Sequence, residues 1–440
     1  MATVRRRAFL AAAAAGSVAV GFPAAAAEPA ADTATAKSLG PLLGHLDTVR
    51  ANVWFRASTE GRVELRVTGN DAEPRVVSAD ALAEHDLCVT WTVDGLQPDR
   101  KYTAEVLPGK AAGDAVGRPC VIHTTPDPGT PAKVQLAFGS CASSTKFFAI
   151  WDRIAETGAD GVVLLGDTPY IDRTDLPSNR QAHRQFLSIP NLAELIRTRP
   201  LWATWDDHDF GANDSDGTIK GKRQIRQAFC EYRALANFGD GDEGIYTKFR
   251  YGPVEVFLLD PRYFSQTEPS PVDPEKNTCL GRKQWQWLLD GLERSTAAFK
   301  LLATGMIWDD KKNKEKDDWE TYAHEREALY DFIAAKRISG VMLIGGDIHV
   351  SRRLTYPMKA RWGYDLHQSI ISPLHDRIIP GLNVPHPALV WGEPIPNVFL
   401  QMTADSTSSP ATLRFDWIDI HGKKLHSLAV TAEELAAKRD

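Results

Sequence analysis

The chain has 440 residues, of which 43% are hydrophobic and 25% are charged, and it carries a formal net charge of −6. This apolar fraction and this modest charge exclude an intrinsically disordered chain, and the length predicts two or three domains with a substantial core. Because there is no basic excess to neutralise phosphates along a strand, the composition also argues against a nucleic-acid-binding protein.

The first 27 residues have the pattern of an export signal. Arg5–Arg7 precede a weakly apolar run from Ala8 to Phe22, and the small residues Ala24–Ala27 then offer an A-x-A cleavage site. The apolar run is shorter than the roughly 18 residues of a membrane span, so we expect no stable membrane span, with a retained signal anchor as the alternative. The arginines followed by Phe-Leu resemble a twin-arginine signal, which predicts export of the folded protein by the twin-arginine machinery to the periplasm or the medium.

Residues 40–127 predict a small all-β domain. Segments that alternate apolar and polar residues, as half-buried strands do, lie at 50–57, 62–68, 87–93 and 101–107. The run from Leu96 to Tyr102 is similar to the tyrosine corner of immunoglobulin-like sandwiches. Thr124–Pro131 contains three prolines and one glycine, which predicts a stiff linker and a domain boundary. We therefore expect an immunoglobulin- or fibronectin-like sandwich ahead of a second domain.

After the linker the pattern changes to alternating strands and helices. The predicted strands are short apolar runs at 134–138, 161–165, 201–205, 254–259, 301–304 and 341–344. The predicted helices lie between them at 147–156, 191–197, 222–236, 282–293 and 325–336. This alternation is typical of a layered α/β core, in which ligands gather at the strand ends. The charge-dense segment 309–320 is interpreted either as a solvated loop or as a lid over a site.

Chemically active side chains follow five of the predicted strands. The segments are Gly139–Cys141, Gly166–Tyr170, Asp206–Asp209, Asp260–Arg262 and Gly345–His349. Each has an ordinary structural interpretation when taken alone, such as a turn, a helix N-cap, a core histidine or a buried thiol. Taken together, they predict a dense cluster of ligands. Uncompensated carboxylates would repel one another there, so the pattern predicts a bound cation.

The order and content of these motifs resemble the metallophosphatase superfamily, and specifically its alkaline phosphatase D family. The motifs that carry the resemblance are FGSC (138–141), GDTPY (166–170), WDDHDFGAND (205–214), LLDPRYF (258–264) and GGDIH (345–349). The resemblance extends over nearly the whole chain. It implies that residues 133–440 form a four-layer α/β/β/α metallophosphatase sandwich, preceded by the smaller all-β domain.

The resemblance also implies a binuclear metal centre. Its six ligands would be Cys141, Asp167, Tyr170, Asp207, Asp347 and His349. Asp167 would bridge the two metals, the thiol, the phenol and the imidazole would complete the first site, and the two remaining aspartates would hold the second metal. A thiolate together with a phenolate favours Fe³⁺, and the oxygen-rich second site suits Ca²⁺.

Three more residues receive roles from the resemblance. His208 follows the ligand Asp207, at the position where the superfamily places its catalytic histidine. Asn213 and Arg262 are expected to contact phosphate or substrate. In one departure from the family pattern, Ile171 follows the tyrosine directly, and the acid that many relatives have at this point comes one residue later.

These features predict a secreted, metal-dependent phosphoesterase that hydrolyses small phosphate monoesters as an alkaline phosphatase. Two metals would neutralise phosphate oxygens and lower the pKa of a water that attacks phosphorus in line, while His208 protonates the leaving group or stabilises the transition state. The alternatives are a phosphodiesterase of the phospholipase D type on the same metal core and, as a third, a non-catalytic binding protein. Neither G-x-S-x-G nor a complete H-E-x-x-H occurs, which argues against a serine hydrolase and a zincin.

Five cysteines in an exported protein leave at least one thiol unpaired. Cys88 and Cys120 fall in the first predicted domain, and Cys230 and Cys279 fall in the second, so each pair is a candidate disulfide. Cys141 would then be the free thiol, at the position where the metal chemistry requires one.

Overall fold

Seven strands form the predicted all-β unit at the N-terminal side of the chain. The computed structural model describes residues 37–69, 72–113, 117–313 and 315–437. The strands are β1 (Leu39–Leu46), β2 (Ala51–Arg56), β3 (Gly61–Gly69), β4 (Ala72–Ala81), β5 (Cys88–Val93), β6 (Lys101–Val106) and β7 (Cys120–His123). One antiparallel sheet has the order β1-β2-β5, and the other has the order β4-β3-β6-β7. The backbone N–H of Gln97 donates to the Tyr102 hydroxyl at 2.9 Å, as in a tyrosine corner.

The predicted export signal at 1–27 lies outside the described residues, so it stays a prediction. Among the residues that the structure does describe, no helix has both the length and the apolar character needed to cross a membrane. The predicted linker 124–131 lies between the last strand of the N-terminal unit and the first strand that follows it.

Thirteen further strands of the described chain build two larger sheets. They are β8 (Lys133–Gly139), β9 (Gly161–Leu165), β10 (Leu201–Thr204), β11 (Thr247–Tyr251), β12 (Val254–Leu258), β13 (Phe299–Ala303), β14 (Val341–Gly345), β15 (Ser351–Tyr356), β16 (Leu366–Ile370), β17 (Leu389–Glu393), β18 (Val398–Asp405), β19 (Thr412–Asp419) and β20 (Lys424–Thr431). The six-stranded sheet has the order β10-β9-β8-β18-β19-β20, and the seven-stranded sheet has the order β11-β12-β13-β14-β16-β15-β17.

Eight α-helices of the described residues lie between these strands along the chain. They are α1 (Ala149–Glu156), α2 (Leu176–Leu187), α3 (Pro190–Thr198), α4 (Asp207–Phe210), α5 (Lys222–Tyr232), α6 (Gly281–Arg294), α7 (Ala323–Ala335) and α8 (Lys359–Trp362), with short 3₁₀ turns at Ala83–His85 and Pro380–Leu382. The indole of Trp417 in β19 donates to the Ile370 carbonyl in β16 at 3.0 Å, which ties one sheet to the other. The four-layer α/β/β/α sandwich predicted from the sequence is confirmed.

The strands that position the site are parallel and deeply buried. In one sheet β8, β9 and β10 run parallel, and in the other β12, β13, β14 and β16 do. Every residue of β9, β12 and β14 is buried, as in sheets covered on both faces. Because parallel strands in one sheet end at the same edge, polar residues that follow them are brought together.

The two candidate disulfides are not formed, and all five cysteines are free thiols. Cys88 lies in β5 and Cys120 in β7, which belong to different sheets of the N-terminal unit. Cys88 instead shares the lining of a surface cavity with Cys230 of α5, while Cys279 is buried just before α6. Pairing by position along the chain is therefore wrong, since Cys88 lines this cavity with Cys230 rather than with Cys120.

Candidate metal centre

Four of the six predicted ligands lie in loops directly after parallel strands. Cys141 follows β8, Asp167 follows β9, and both Asp347 and His349 follow β14. Their φ angles lie between +54° and +67°, in the left-handed region that residues with side chains rarely adopt. Strained backbone of this kind collects at functional sites, where the surrounding structure holds it in place. The loop conformations are therefore fixed by the fold around them.

One group of ligands combines a thiol, a carboxylate and an imidazole. Cys141, Asp167 and His349 are buried and each offers a ligand atom within 4.8 Å of the others. The Cys141 thiol donates to Asp167 Oδ2 at 3.4 Å and accepts from the Ser372 hydroxyl at 3.1 Å. Burial, followed by the charge of Asp167, raises the pKa of Cys141 well above its ordinary value. A cation between these atoms would oppose that effect and favour the thiolate.

Tyr170 joins this group through a chain of hydrogen bonds. The Arg377 carbonyl can only accept, so His349 Nδ1 donates to it at 2.8 Å and Nε2 carries no proton in the neutral ring. The Tyr170 hydroxyl therefore donates to His349 Nε2 at 2.9 Å. Since its Nδ1 bond fixes the ring, His349 presents Nε2 as the nitrogen that a metal could bind.

His375 completes this chain, and sequence reasoning missed it. The Arg377 amide donates to His375 Nδ1 at 2.9 Å, so Nε2 of this ring carries the proton and donates to the Tyr170 hydroxyl at 3.2 Å. Burial lowers the pKa of His349 and of His375 to about 4, so both rings are neutral at neutral pH. His375 follows β16, a strand absent from the predicted set, so no strand-end signal points to it.

A second group is made largely of carboxylates. Asp206, Asp207 and Asp347 offer oxygens within 4.8 Å of one another, and Asp167, Asp207 and His208 form an overlapping group. Asp207 opens α4, and its carboxylate accepts two backbone N–H groups at 3.0 and 2.8 Å. Asp167 belongs both to this overlapping group and to the thiol group. That is the position expected of a bridging ligand.

The protein compensates the charge of these carboxylates only in part. Burial, followed by the charge of Asp207, raises the pKa of Asp167 well above its ordinary value, and burial raises the pKa of Asp347 to about 7. Two buried oxygens, Asp167 Oδ1 and Asp206 Oδ2, accept no hydrogen bond from the described part of the chain. Buried carboxylate oxygens require donors or cations. The donor set therefore fits a metal centre, with soft and aromatic ligands at one end and oxygens at the other.

His208 is paired with Asp172, the acid that lies one residue later than in the family pattern. Asp172 Oδ1 lies 2.6 Å from His208 Nδ1, and the Ile171 and Asp172 amides donate to the His208 carbonyl. Burial lowers the pKa of His208, but the Asp172 hydrogen bond and the charges of Asp167 and Asp207 outweigh it and raise the pKa to about 9. These groups therefore favour the protonated ring, in which both nitrogens carry protons.

Asp209 ties together the loops after β9 and β10. Its buried carboxylate accepts the backbone N–H groups of Asp167, Thr168 and Asp206, the last two at 3.0 Å. Gly166 has a φ of +100°, and a Cβ at this position would lie 2.4 Å from Asp206 Cβ. The glycine thus allows the two loops to approach closely, which brings their carboxylates to one place.

Arg262 and Asn213 lie on the carboxylate side in different environments. Arg262 is fully buried, and its guanidinium donates to Asp206 at 2.5 and 2.8 Å and to Asp317 at 3.2 Å. These contacts favour a role in positioning carboxylates over the predicted contact with substrate. Asn213 is exposed, and its amide donates to Asp214 at 2.8 Å. Its predicted contact with substrate stays a prediction.

The charge-dense segment 309–320 reaches the carboxylate group. Lys311 and Asp317 have side chains that are each 3% exposed, and their charged groups lie 2.7 Å apart. Lys311 Nζ also lies 2.6 Å from Asp347 Oδ2. Asp317 forms a further group of carboxylates with Asp207 and Asp214. The solvated-loop interpretation is therefore wrong for Lys311 and Asp317, whereas the lid interpretation agrees with their burial.

The two-sheet sandwich and the ligand cluster at its strand ends define a protein of the metallophosphatase fold class. A family model of PhoD-like phosphatases matches residues 136–372, which is more than half of the chain. The chain belongs to the PhoD-like phosphatase family, which confirms the family predicted from the motifs. A second family model, a domain of unknown function (DUF7800), matches residues 35–112 in the N-terminal β-sheet unit.

Known proteins are similar to this chain in sequence or in fold. Alkaline phosphatase D of Bacillus subtilis (strain 168) is 27% identical over 326 residues, which are 62% of this chain and 53% of that protein. The chain thus spans about half the length of this curated relative. A solved structure of PhoD has a TM-score of 0.74 at 19% identity and covers 90% of both chains. The purple acid phosphatase from yellow lupin (Lupinus luteus) seeds has a TM-score of 0.65 at 11% identity, over 90% of this chain and 74% of that one.

Proposed function

We propose that this protein is a secreted, metal-dependent phosphoesterase that hydrolyses small phosphate monoesters at alkaline pH. The observation that carries the proposal is the convergence of the six predicted ligands and His208, from four strand-end loops, on one largely buried cluster. Membership of the PhoD-like phosphatase family supports the reaction class. Export through the predicted twin-arginine signal is part of the proposal and implies a periplasmic or extracellular enzyme.

Two different metals suit the two ends of the cluster. The thiol, phenol and imidazole of Cys141, Tyr170 and His349 favour Fe³⁺, and the carboxylates of Asp207 and Asp347 favour Ca²⁺, with Asp167 between them. When bound, the two ions supply charge that neutralises phosphate oxygens and lowers the pKa of a water molecule. The protein contributes a rigid set of loops, whose left-handed residues fix where the ligands lie.

His208 is the group that moves a proton. It is held by Asp172, whose hydrogen bond favours the protonated ring, and it lies in the ligand group that contains Asp167 and Asp207. It can therefore protonate the leaving-group oxygen or stabilise negative charge that develops on the phosphoryl group. Arg262 has a supporting role, because its buried guanidinium holds carboxylates at the second end of the cluster.

A phosphodiesterase is the second candidate, because two cavities flank the cluster. One cavity, of about 440 Å³, is lined by Tyr170, His375 and Lys146, among others. The other, of about 720 Å³, is lined by Asp214 and Arg262, among others. A phosphodiester carries a substituent on each of two ester oxygens, and each cavity has room for one of them. A monoester needs only one cavity.

Turnover of mono- and bis-(p-nitrophenyl) phosphate, with metal analysis of the same sample, tests the proposal. We expect hydrolysis of the monoester that chelation abolishes and that added metal restores. Asp207→Asn is the inactive variant, and Asp94→Asn is its matched control, because Asp94 is 60% exposed and pairs with Arg50 in the N-terminal unit.

The other outcomes select among the alternatives. Faster turnover of the bis ester would favour the phosphodiesterase. A protein that binds metals and turns over neither ester would agree with the non-catalytic binding protein. Turnover that survives complete removal of metal would contradict the proposal.

A further inference from the structure

The carboxylate end of the candidate metal centre contains a buried ammonium group. Lys311 lies 2.6 Å from Asp347 Oδ2 and 2.7 Å from Asp317 Oδ1, and its side chain is 3% exposed. A lysine loses much of its hydration when it is buried, and close carboxylates are what stabilise its charge there. Lys311 is therefore a fixed positive charge of the site.

The carboxylates at this end could hold more than one ion. Asp206, Asp207 and Asp347 form one group, and Asp207, Asp214 and Asp317 form another, with the oxygens of each group within 4.8 Å of one another. Both groups consist of the oxygen donors that hard divalent cations take. Asp206 Oδ2 is buried and accepts no hydrogen bond within the described residues. Donors alone would thus permit a cation in each group.

The net charge of these side chains allows fewer divalent ions than the donor geometry does. Arg262 contacts Asp206 and Asp317, and Lys311 contacts Asp317 and Asp347. The five carboxylates of the two groups and these two side-chain cations leave a net charge of −3 when all are ionised. One divalent ion would reduce this to −1, whereas a second would reverse the sign and lie beside the ammonium that already contacts Asp317.

We propose that Lys311 is a built-in cation that limits the carboxylate end of the centre to a single divalent metal ion. The proposal rests on the proposed metal centre, but it concerns how many ions are bound and is independent of the ester that is hydrolysed. Because Lys311 is carried by the segment 309–320, this segment sets the metal stoichiometry of the site.

The number of Ca²⁺ ions bound per chain tests the proposal, measured by equilibrium dialysis of the purified full chain against calcium followed by elemental analysis. Lys311→Met removes the ammonium and keeps an unbranched side chain, so we expect one more calcium ion per chain than in the wild type. Lys312→Met is the matched control, because Lys312 is 54% exposed and pairs with Asp310. It should bind the wild-type number, and adding Asp317→Asn to Lys311→Met should restore that number.

A folded Lys311→Met variant that binds the wild-type number of calcium ions, or fewer, overturns the proposal. If this variant does not fold, Lys311→Gln carries the same expectation, and Lys311→Arg should bind the wild-type number because it keeps the charge. An extra ion in Lys311→Arg would overturn the proposal as well. A wild-type protein that binds no divalent ion would contradict the proposed metal centre itself and this proposal with it.

Discussion

Replacement of Asp172 by asparagine tests whether His208 acts as the acid of the site. The Asp172 carboxylate lies 2.6 Å from His208 Nδ1. Asp172 has a φ of +54°, and asparagine tolerates the left-handed region about as well as aspartate does. The substitution therefore removes the negative charge without forcing the backbone to move.

The expected effect is a lower pKa for His208. Burial lowers this pKa, whereas the carboxylates of Asp172, Asp167 and Asp207 raise it. The resulting pKa is about 9, compared with an ordinary value of 6.5. Metal ions bound at Asp167 and Asp207 would neutralise those two carboxylates, so Asp172 is the raising group that would remain. Its side chain is 53% exposed and solvent screens part of its charge. We expect the pKa to fall by about 1 to 2.

The assay is the pH profile of kcat/KM for p-nitrophenyl phosphate. A general acid must be protonated, so activity falls as the pH rises through the pKa of His208, and this alkaline limb should move down by about 1 to 2 pH units in Asp172→Asn. Asp94→Asn should leave the limb in place, because this carboxylate is exposed and pairs with Arg50. A limb that stays in place in Asp172→Asn, or that moves equally in both variants, would refute the acid role of His208.

Three further predictions concern the proposed iron ligand Tyr170, the buried carboxylate of Glu325 and the thiols. Tyr170→Phe should abolish or shift a visible absorption band, because it removes the phenolate as a charge donor to Fe³⁺; an unchanged spectrum would contradict ligation. Glu325→Leu should lower the free energy of unfolding in urea by about 2–4 kcal/mol, because the buried backbone N–H groups of Cys279 and Leu280 would lose their acceptor. A loss under about 1 kcal/mol would contradict this hydrogen-bonding assignment. Thiol labelling of the denatured, unreduced protein should find five thiols, and a count of one would restore the disulfide hypothesis.

The ligand loops could be predicted from the sequence because the strands before them are continuous apolar runs. Every residue of Gly161–Leu165 and of Val341–Gly345 is buried. A run of this kind ends where the sheet ends, so the first polar residues after it, such as Asp167 and Asp347, mark one edge. The resemblance to a known family then assigned roles that position alone does not give.

Helices with polar buried faces could not be predicted in the same way. The buried face of α2 consists of Asn179, His183, Phe186 and Leu187, so half of it is polar and the apolar period is weak. The helix α5 was expected to continue to residue 236 but ends at Tyr232. The next residue, Arg233, has an extended backbone, and its buried guanidinium donates to the Thr168 carbonyl at 2.7 Å. This is a tertiary contact that no local sequence pattern indicates.

The residues that other loops contribute to the site could not be predicted from the sequence either. Lys311 and Asp317 lie in a segment whose charge density favours solvent exposure, and their burial depends on carboxylates and a guanidinium supplied by Asp347 and Arg262. His375 meets Tyr170 only because β16 lies beside β14 in the sheet. These contacts are set by which loops the topology brings together, and no motif encodes them.

The metal content of the purified protein tests the central claim most directly, when the wild type is compared with Asp207→Ala and His208→Ala by elemental analysis. The account predicts about two metal ions per wild-type chain, a clear loss in Asp207→Ala because a charged ligand is removed, and near-complete retention in His208→Ala. In that last variant turnover should nevertheless fall by about 10²–10⁴-fold. A wild-type protein without bound metal, or equal metal loss in both variants, would contradict the account.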